Sequence, residues 1–361
     1  MMNSLQRVRA VLNGESPDRL PVIPQSFLFA TQTEGYKIGQ INRNPRLMAQ
    51  CHKNCWEKFG YDGCIIDVDD AALAEACGAK VIYRTDSVAV VKDSEPVLKD
   101  LREIDNLTLP DPQKDGRLPE WLETTRRVAE DIGGEAFIIG RADQGPFNLL
   151  CLLRGATQFM EDLLTEDVDV ICRALAWTTD AHIRFAKAQY AAGAHAVSMG
   201  DAYASPNLIS PALYRKFAFP WEKKVVDAVQ TREQPYDIHI CGDTTAVIRD
   251  MTDCKARILE IDWKVDMGKA RKILPKETVL MGNINPSDPM YLGVPAQVEA
   301  QIEKIIRDTC GQGIIISSGC ALSENTKPEN VIAMVEATHR YGSREQLELL
   351  QAEQEKTGKA R

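Results

Sequence analysis

The most specific chemistry in this chain lies in Asp237-Ile238-His239-Ile240-Cys241-Gly242 together with Cys320, which follows Gly319. On a strand, residues two apart point to the same side, so His239 and Cys241 can share one ligand. Gly242 leaves the backbone free to turn immediately afterwards. An imidazole and two thiolates suit Zn²⁺, which prefers nitrogen and sulfur donors in tetrahedral geometry. Three protein ligands with an open fourth position are the arrangement of a catalytic metal rather than a structural one.

For these donors to meet, the chain between them must be folded into elements that end on one rim. Eight apolar, β-prone runs recur, at Pro21–Ser26, Gly63–Val68, Ala136–Ala142, Ala194–Gly200, Tyr236–Cys241, Arg257–Asp262, Thr278–Asn283 and Gly313–Ser318. Helix-compatible stretches separate most of them, including Pro45–Phe59, Asp167–Ala192, Pro211–Val229, Thr244–Thr252, Asp266–Ile273 and Pro295–Thr309; Pro328–Arg340 and Glu345–Glu355 follow the last. This alternation predicts an α/β fold, a (β/α)8 TIM barrel. No G-x-G-x-x-G turn follows a strand, which disfavours a doubly wound sheet. Leu5, Val8, Val11 and Leu12 recur at helical spacing and predict an N-terminal helical extension packed on the body. Lys80–Thr85 and Val88–Lys92 read as a β-hairpin, and the polar Asn106–Pro119 connection follows. The expectation is one domain over 1–361 with an insertion at about 79–118.

Barrel chemistry sits at the C-terminal ends of the strands. Those ends carry Asp67, Asp69 and Asp70, then Arg141 and Asp143, Asp201, His239 and Cys241, Glu260 and Asp262, Asn283 and Asn285, and Cys320. A lone carboxylate there is commonly a helix cap or a loop residue, but nearly every strand leads into such a group. Asp69, Arg141, Asp143, Asp201 and Asn283 are the expected substrate-lining residues. The other eight cysteines receive no role, since isolated cysteines are frequent in cores. His195 reads as a core or pocket residue, and His52, His182 and His339 as facing solvent or helix neighbours.

Composition narrows the class. The 361 residues carry a formal charge of −9, with 44% hydrophobic residues. The acidic balance argues against a nucleic-acid binder. No apolar run approaches the ~20 residues of a membrane span. Met1–Gly14 lacks the apolar core of a secretory signal, and ten cysteines without paired spacing suggest cytoplasmic thiols.

Several stretches resemble the uroporphyrinogen decarboxylase-like proteins: Arg7–Val22, Gly63–Asp69 with Gly78, Ile261–Asp266 and Met281–Pro286. The resemblance runs along essentially the whole chain and implies a barrel. Two branches compete. Decarboxylases proper carry an Arg-Gln-Ala-Gly-Arg-Tyr run shortly after the position of Val22, whereas here Ile23–Ala30 contains no arginine. Asp69 matches their catalytic aspartate, so a metal-free decarboxylase is the alternative reading. The zinc-dependent methyltransferases that exchange methyl groups between a corrinoid protein and coenzyme M show His-x-Cys…Cys, which His239, Cys241 and Cys320 match. Similarity to cobalamin-independent methionine synthases implies an acidic fourth ligand about twenty residues past the first cysteine; Glu260 and Asp262 both fall there, and substrate or water could serve instead.

The resemblance therefore implies an enzyme that moves a methyl group between cobalamin on a corrinoid-binding partner protein and a small thiol, methoxy or methylamine compound, with Zn²⁺ as cofactor. Asp237-x-His239-x-x-Gly242 also fits the pattern by which corrinoid domains ligate cobalt, but the later elements of that pattern are missing and the match reads as coincidence. A third reading is an idle barrel that only binds a corrinoid protein, with no metal in its pocket.

Overall fold

The computed structural model describes residues 2–67 and 69–358. Seven fully buried strands form one parallel sheet: β1 Gly63–Ile66, β4 Phe137–Arg141, β5 Ala196–Gly200, β6 Tyr236–Ile240, β7 Ile258–Ile261, β8 Val279–Ile284 and β9 Ile314–Ser318, in that spatial order. They match the predicted runs to within two residues at each end, although Val68 lies outside the described residues. The remaining two strands, β2 Val81–Ile82 and β3 Val90–Val91, pair antiparallel as the expected hairpin.

Pro21–Ser26, the run predicted as the first strand, forms no regular strand, yet it closes the barrel between β9 and β1. Ile23 N–H donates to the Ile316 carbonyl at 2.8 Å, Ile316 N–H to Pro21 at 2.9 Å, and Asp62 N–H to Val22 at 2.6 Å. Pro21 and Pro24 have no N–H to contribute, and the Val22 N–H is taken by the Asp62 carboxylate at 2.9 Å. The ladder is thereby reduced to a single bridge, Val22 to Ile316. Asp62 is fully buried and is neutralised by Arg7 at 2.6 Å and Arg19 at 2.7 Å.

Alternation along the strands divides the barrel interior into layers. At the N-terminal end Ile65, Phe137, Ile139, Ile258, Met281 and Ile315 form an apolar cluster, capped by Val8, Val11 and Leu12 of the helix Ser4–Leu12. That helix is the predicted extension, and it plugs the barrel floor. One or two residues further along the same strands the inward positions become polar: Arg141, Ser198, Asp237, His239, Glu260 and Ser317 are all at most 5% exposed. Side chains on the opposite strand faces, such as Ile138, Ile238 and Leu259, join the larger core under the helices.

Some helices depart from expectation. Pro211–Val229 is two helices, Pro211–Phe217 and Phe219–Val229, broken at Ala218 with Pro220 in the second one's first turn. Thr244–Thr252 shrinks to Ile248–Asp253. Pro119, read as part of a polar connection, instead begins the helix Leu118–Ile132, where a proline without N–H is tolerated. No helix among the described residues is long and apolar enough to cross a membrane.

Candidate metal centre at the barrel mouth

β6 presents Asp237 and His239 on its inward face, and Cys241 continues the alternation just past the strand end. The chain then turns through Gly242, whose φ of 92° lies in the left-handed region and whose missing side chain leaves room for Asn207 and Ser205. Cys320 sits two residues past β9; at Gly319 a side chain would collide with the Trp263 backbone, so only glycine lets this loop close against the one after β7.

These loops converge. His239 Nε2 is 3.2 Å from Cys241 Sγ, and Cys241 Sγ is 3.9 Å from Cys320 Sγ. All three donor atoms lie within 4.8 Å of one another, and among the described residues only this group of three or more His, Cys, Asp or Glu does so. A tetrahedral zinc with ordinary bond lengths would separate two sulfurs by about 3.8 Å and nitrogen from sulfur by about 3.6 Å. The spacing therefore fits such an ion. Both thiols are partly open, whereas seven of the other eight cysteines are buried.

The imidazole is aimed from behind. Its Nδ1 lies 3.2 Å from the Glu260 carbonyl and 3.6 Å from Glu260 Oε2, leaving Nε2 toward the sulfurs. Glu260 thus faces the ring nitrogen turned away from the cysteines, the arrangement that orients a metal-bound histidine. Hydrogen bonding from Cys241, with further help from His239, lowers the Cys320 thiol well below the usual thiol range, and the Cys241 thiol is correspondingly raised, first by its bond to Cys320 and then by burial. Burial alone would lower His239, but Cys320 and the Glu260 charge outweigh it and raise the ring to about 9. Without metal the site therefore holds a thiolate beside an imidazolium.

Arg141 is the cation of the polar layer. Its guanidinium reaches Asp143 at 2.7 Å, Asp67 at 3.1 Å and Glu260 at 3.4 Å. It thus ties the strand ends to the carboxylate behind His239. Asp70 opens to solvent beside it and accepts from Gln144 Nε2 at 2.9 Å. The crowding of surrounding protein, then the Asp143 charge, raises its carboxyl to about 6.

The other expected lining residues are occupied elsewhere. Asp69 is bonded through both oxygens to Arg117, at 2.5 and 2.9 Å, with both side chains sealed from solvent. Asp201 turns into the barrel wall: one oxygen accepts the Asn148 N–H at 2.6 Å, and the other has no donor. Glu222 likewise has an orphaned oxygen, and burial raises it to about 7. Burial, then the Glu222 charge, also raises the Asp201 carboxyl well above the usual carboxylate range. Asn283 Nδ2 donates to the Asp262 and Val265 carbonyls at 3.1 and 2.7 Å and pins the loop after β7. His182 does not face solvent; it is buried between the Gln144 carbonyl and the Tyr236 hydroxyl.

Sequence reasoning missed Arg117 and Glu222, because neither carries a local signal and the fold alone brings them to their partners. Asp237 was seen only as part of a motif. Both its oxygens are buried without a donor, and burial followed by the Glu260 charge raises its carboxyl far above the usual range.

A parallel barrel with a His-Cys-Cys group on its C-terminal rim defines the class: a TIM-type barrel whose mouth gathers three donor atoms that could hold a metal ion. The chain matches the Uroporphyrinogen decarboxylase (URO-D) family model over residues 3–341 and belongs to that family. It is 28% identical over 341 residues to the methylcobamide:CoM methyltransferase MtbA of Methanosarcina mazei, covering 93% of this chain and 97% of that protein. Identity to a uroporphyrinogen decarboxylase of Syntrophotalea carbinolica is 26% over 313 residues, covering 85% and 88%. Among solved structures, a methyltransferase from Methanosarcina mazei superposes with a TM-score of 0.86 at 26% identity, covering 94% of this chain and 99% of that one. A B12-independent methionine synthase from Shewanella shares the fold, with a TM-score of 0.51 at 10% identity and coverage of 86% and 88%.

Proposed function

We propose that this protein is a zinc-dependent methyltransferase that moves a methyl group between cobalamin on a separate corrinoid protein and a small substrate. The substrate is a thiol such as coenzyme M, or a methoxy or methylamine compound. The convergence of His239, Cys241 and Cys320 within 4.8 Å carries the reading. The likeness to methylcobamide:CoM methyltransferases supports it along 93% of the chain.

In this reading His239, Cys241 and Cys320 hold the ion. Bound there, zinc supplies Lewis acidity, either lowering the pKa of a substrate thiol from ~8.5 or polarising an oxygen or nitrogen leaving group. Glu260 keeps Nδ1 of His239 engaged, so that Nε2 presents its lone pair to the open side. Arg141 offsets the negative charge that two thiolates and Glu260 would concentrate there, and with Asp143 it remains our candidate for touching substrate. Asp69, Asp201 and Asn283 act as positioning residues: through Arg117, through the helix Pro146–Arg154 and through the loop after β7 respectively. Because cobalt must reach the substrate at this rim, the corrinoid protein docks over the barrel mouth. We read the chain as one domain with 79–118 as an insertion. The cytoplasm suits its unpaired thiols.

The alternative, a metal-free decarboxylase centred on Asp69, loses ground because both oxygens of that carboxylate are bound by Arg117. Metal analysis and a methylcobalamin assay test the choice. The purified protein is expected to carry close to one zinc, and Cys241→Ser or Cys320→Ser to lose both metal and transfer. A zinc-free variant that transfers methyl groups at the normal rate would end this reading.

A further inference from the structure

At the opposite end of the barrel, the helix Ser4–Leu12 and the segments entering β4 to β7 enclose a cavity of about 290 Å³. Arg9, Arg232 and Arg257 line it. In a chain of net charge −9, with ion pairs over most of its surface, none of these three is ion-paired with a carboxylate among the described residues. Glu233 shares the lining without reaching any of them. Arg257 donates one N–H to the Leu12 carbonyl, while its Nε is sealed from solvent with no partner. Phe137 and His195 stack at 5.4 Å between ring centroids and give the cavity a flat apolar wall.

A second cavity at this end, of about 490 Å³, makes the contrast. There Glu15, Asp308 and Glu348 share the lining with Lys272 and Lys276, Arg271 is spent on the Thr278 and Leu274 carbonyls at 2.6 and 3.0 Å, and Arg344 on the Pro17 and Ser16 carbonyls at 3.1 and 2.9 Å. The smaller cavity sets a single carboxylate, Glu233, against three guanidinium groups. Three guanidinium forks with unused donors, beside one flat wall, match a compact oxyanion attached to an apolar or planar body.

We propose that this floor cavity binds the phosphoryl group of a small phosphorylated molecule through Arg9, Arg232 and Arg257. An occupant would join the plug helix to the strand starts, so binding raises the stability of the whole fold by mass action. The site lies at the far end of the barrel from His239, Cys241 and Cys320, and it stands or falls independently of the metal chemistry.

The test is calorimetric titration and thermal unfolding with inorganic phosphate and pyrophosphate, at ionic strength held constant with sodium chloride. Saturable binding and a concentration-dependent rise in Tm are expected. Arg9→Ala and Arg232→Ala, both on exposed side chains, should each weaken binding roughly tenfold while leaving the unliganded Tm in place. Arg257→Met should abolish binding. The proposal is overturned if chloride alone reproduces the Tm rise, if acetate binds as tightly as phosphate, or if the Arg9→Ala/Arg232→Ala double variant still binds phosphate with unchanged affinity.

Discussion

Replacing Glu260 with glutamine tests the back of the metal centre. The substitution keeps the shape and removes a charge 3.6 Å from His239 Nδ1 and 3.4 Å from Arg141. At an effective dielectric constant of ~20, a unit charge at that range is worth at most about 5 kcal/mol. Outer carboxylates behind metal-bound histidines are typically worth about 10–100-fold in metal affinity, or roughly 1.4–2.7 kcal/mol. A second effect works the other way. In the metal-free protein the ring is raised to about 9, so at pH 7 zinc must displace a proton that Glu260 helps to hold. Zinc must displace the Cys241 proton as well, so wild-type affinity should climb about a hundredfold per pH unit up to about pH 9 and about tenfold per unit above it, while the variant reaches the shallower slope earlier. A competition titration with a chromophoric chelator at pH 7 and pH 9.5 separates the two effects. We expect the variant to bind about 10–100-fold more weakly at pH 9.5, with a smaller deficit at pH 7. Equal affinities at pH 9.5 would refute the orienting role. A loss beyond a thousandfold would instead make Glu260 a direct ligand.

Other outcomes follow from the geometry already described. Loss of zinc and transfer in the two cysteine variants, and phosphate binding at the barrel floor, are the first two. Glu222 is raised by burial from 4.5 to about 7. The folded state therefore holds a proton that the unfolded chain has released, and stability should fall by about 3 kcal/mol as pH rises from 4.5 to 7. Glu222→Gln should flatten that slope in urea unfolding series, and an unchanged slope would exclude a proton held on Glu222. Arg117→Met leaves Asp69 buried without its partner and should cost about 3–5 kcal/mol. A loss below about 1 kcal/mol by chemical denaturation would show that the pair is not what holds the loop after β1.

What could be read from the residues alone follows from the range of each signal. The strands were legible because buried parallel strands are short, uninterrupted apolar runs. The His239, Cys241 and Cys320 group was legible because soft donors at strand ends have few other uses. The barrel closure was half legible: Pro21 and Pro24 bracket a run that lies where a strand should, yet the same prolines deny it a ladder. The helix Leu118–Ile132 was missed because a proline at a helix start looks the same in one dimension as a proline in a linker. Arg117 with Asp69, and Asp201 with Glu222, were not legible at all, since the partners sit on different elements. Those pairings changed the reading of two acidic residues from substrate-facing to structural.

The placement of Cys320 has a consequence for how the protein is made. His239 and Cys241 leave the ribosome well before the last strand exists, and together they offer only a two-toothed grip on a metal. The third tooth arrives some eighty residues later, once nearly the entire ring of strands has been synthesised. With the proposed zinc, tight metal capture would be reserved for a chain that has already closed, and the ion would certify that assembly is finished.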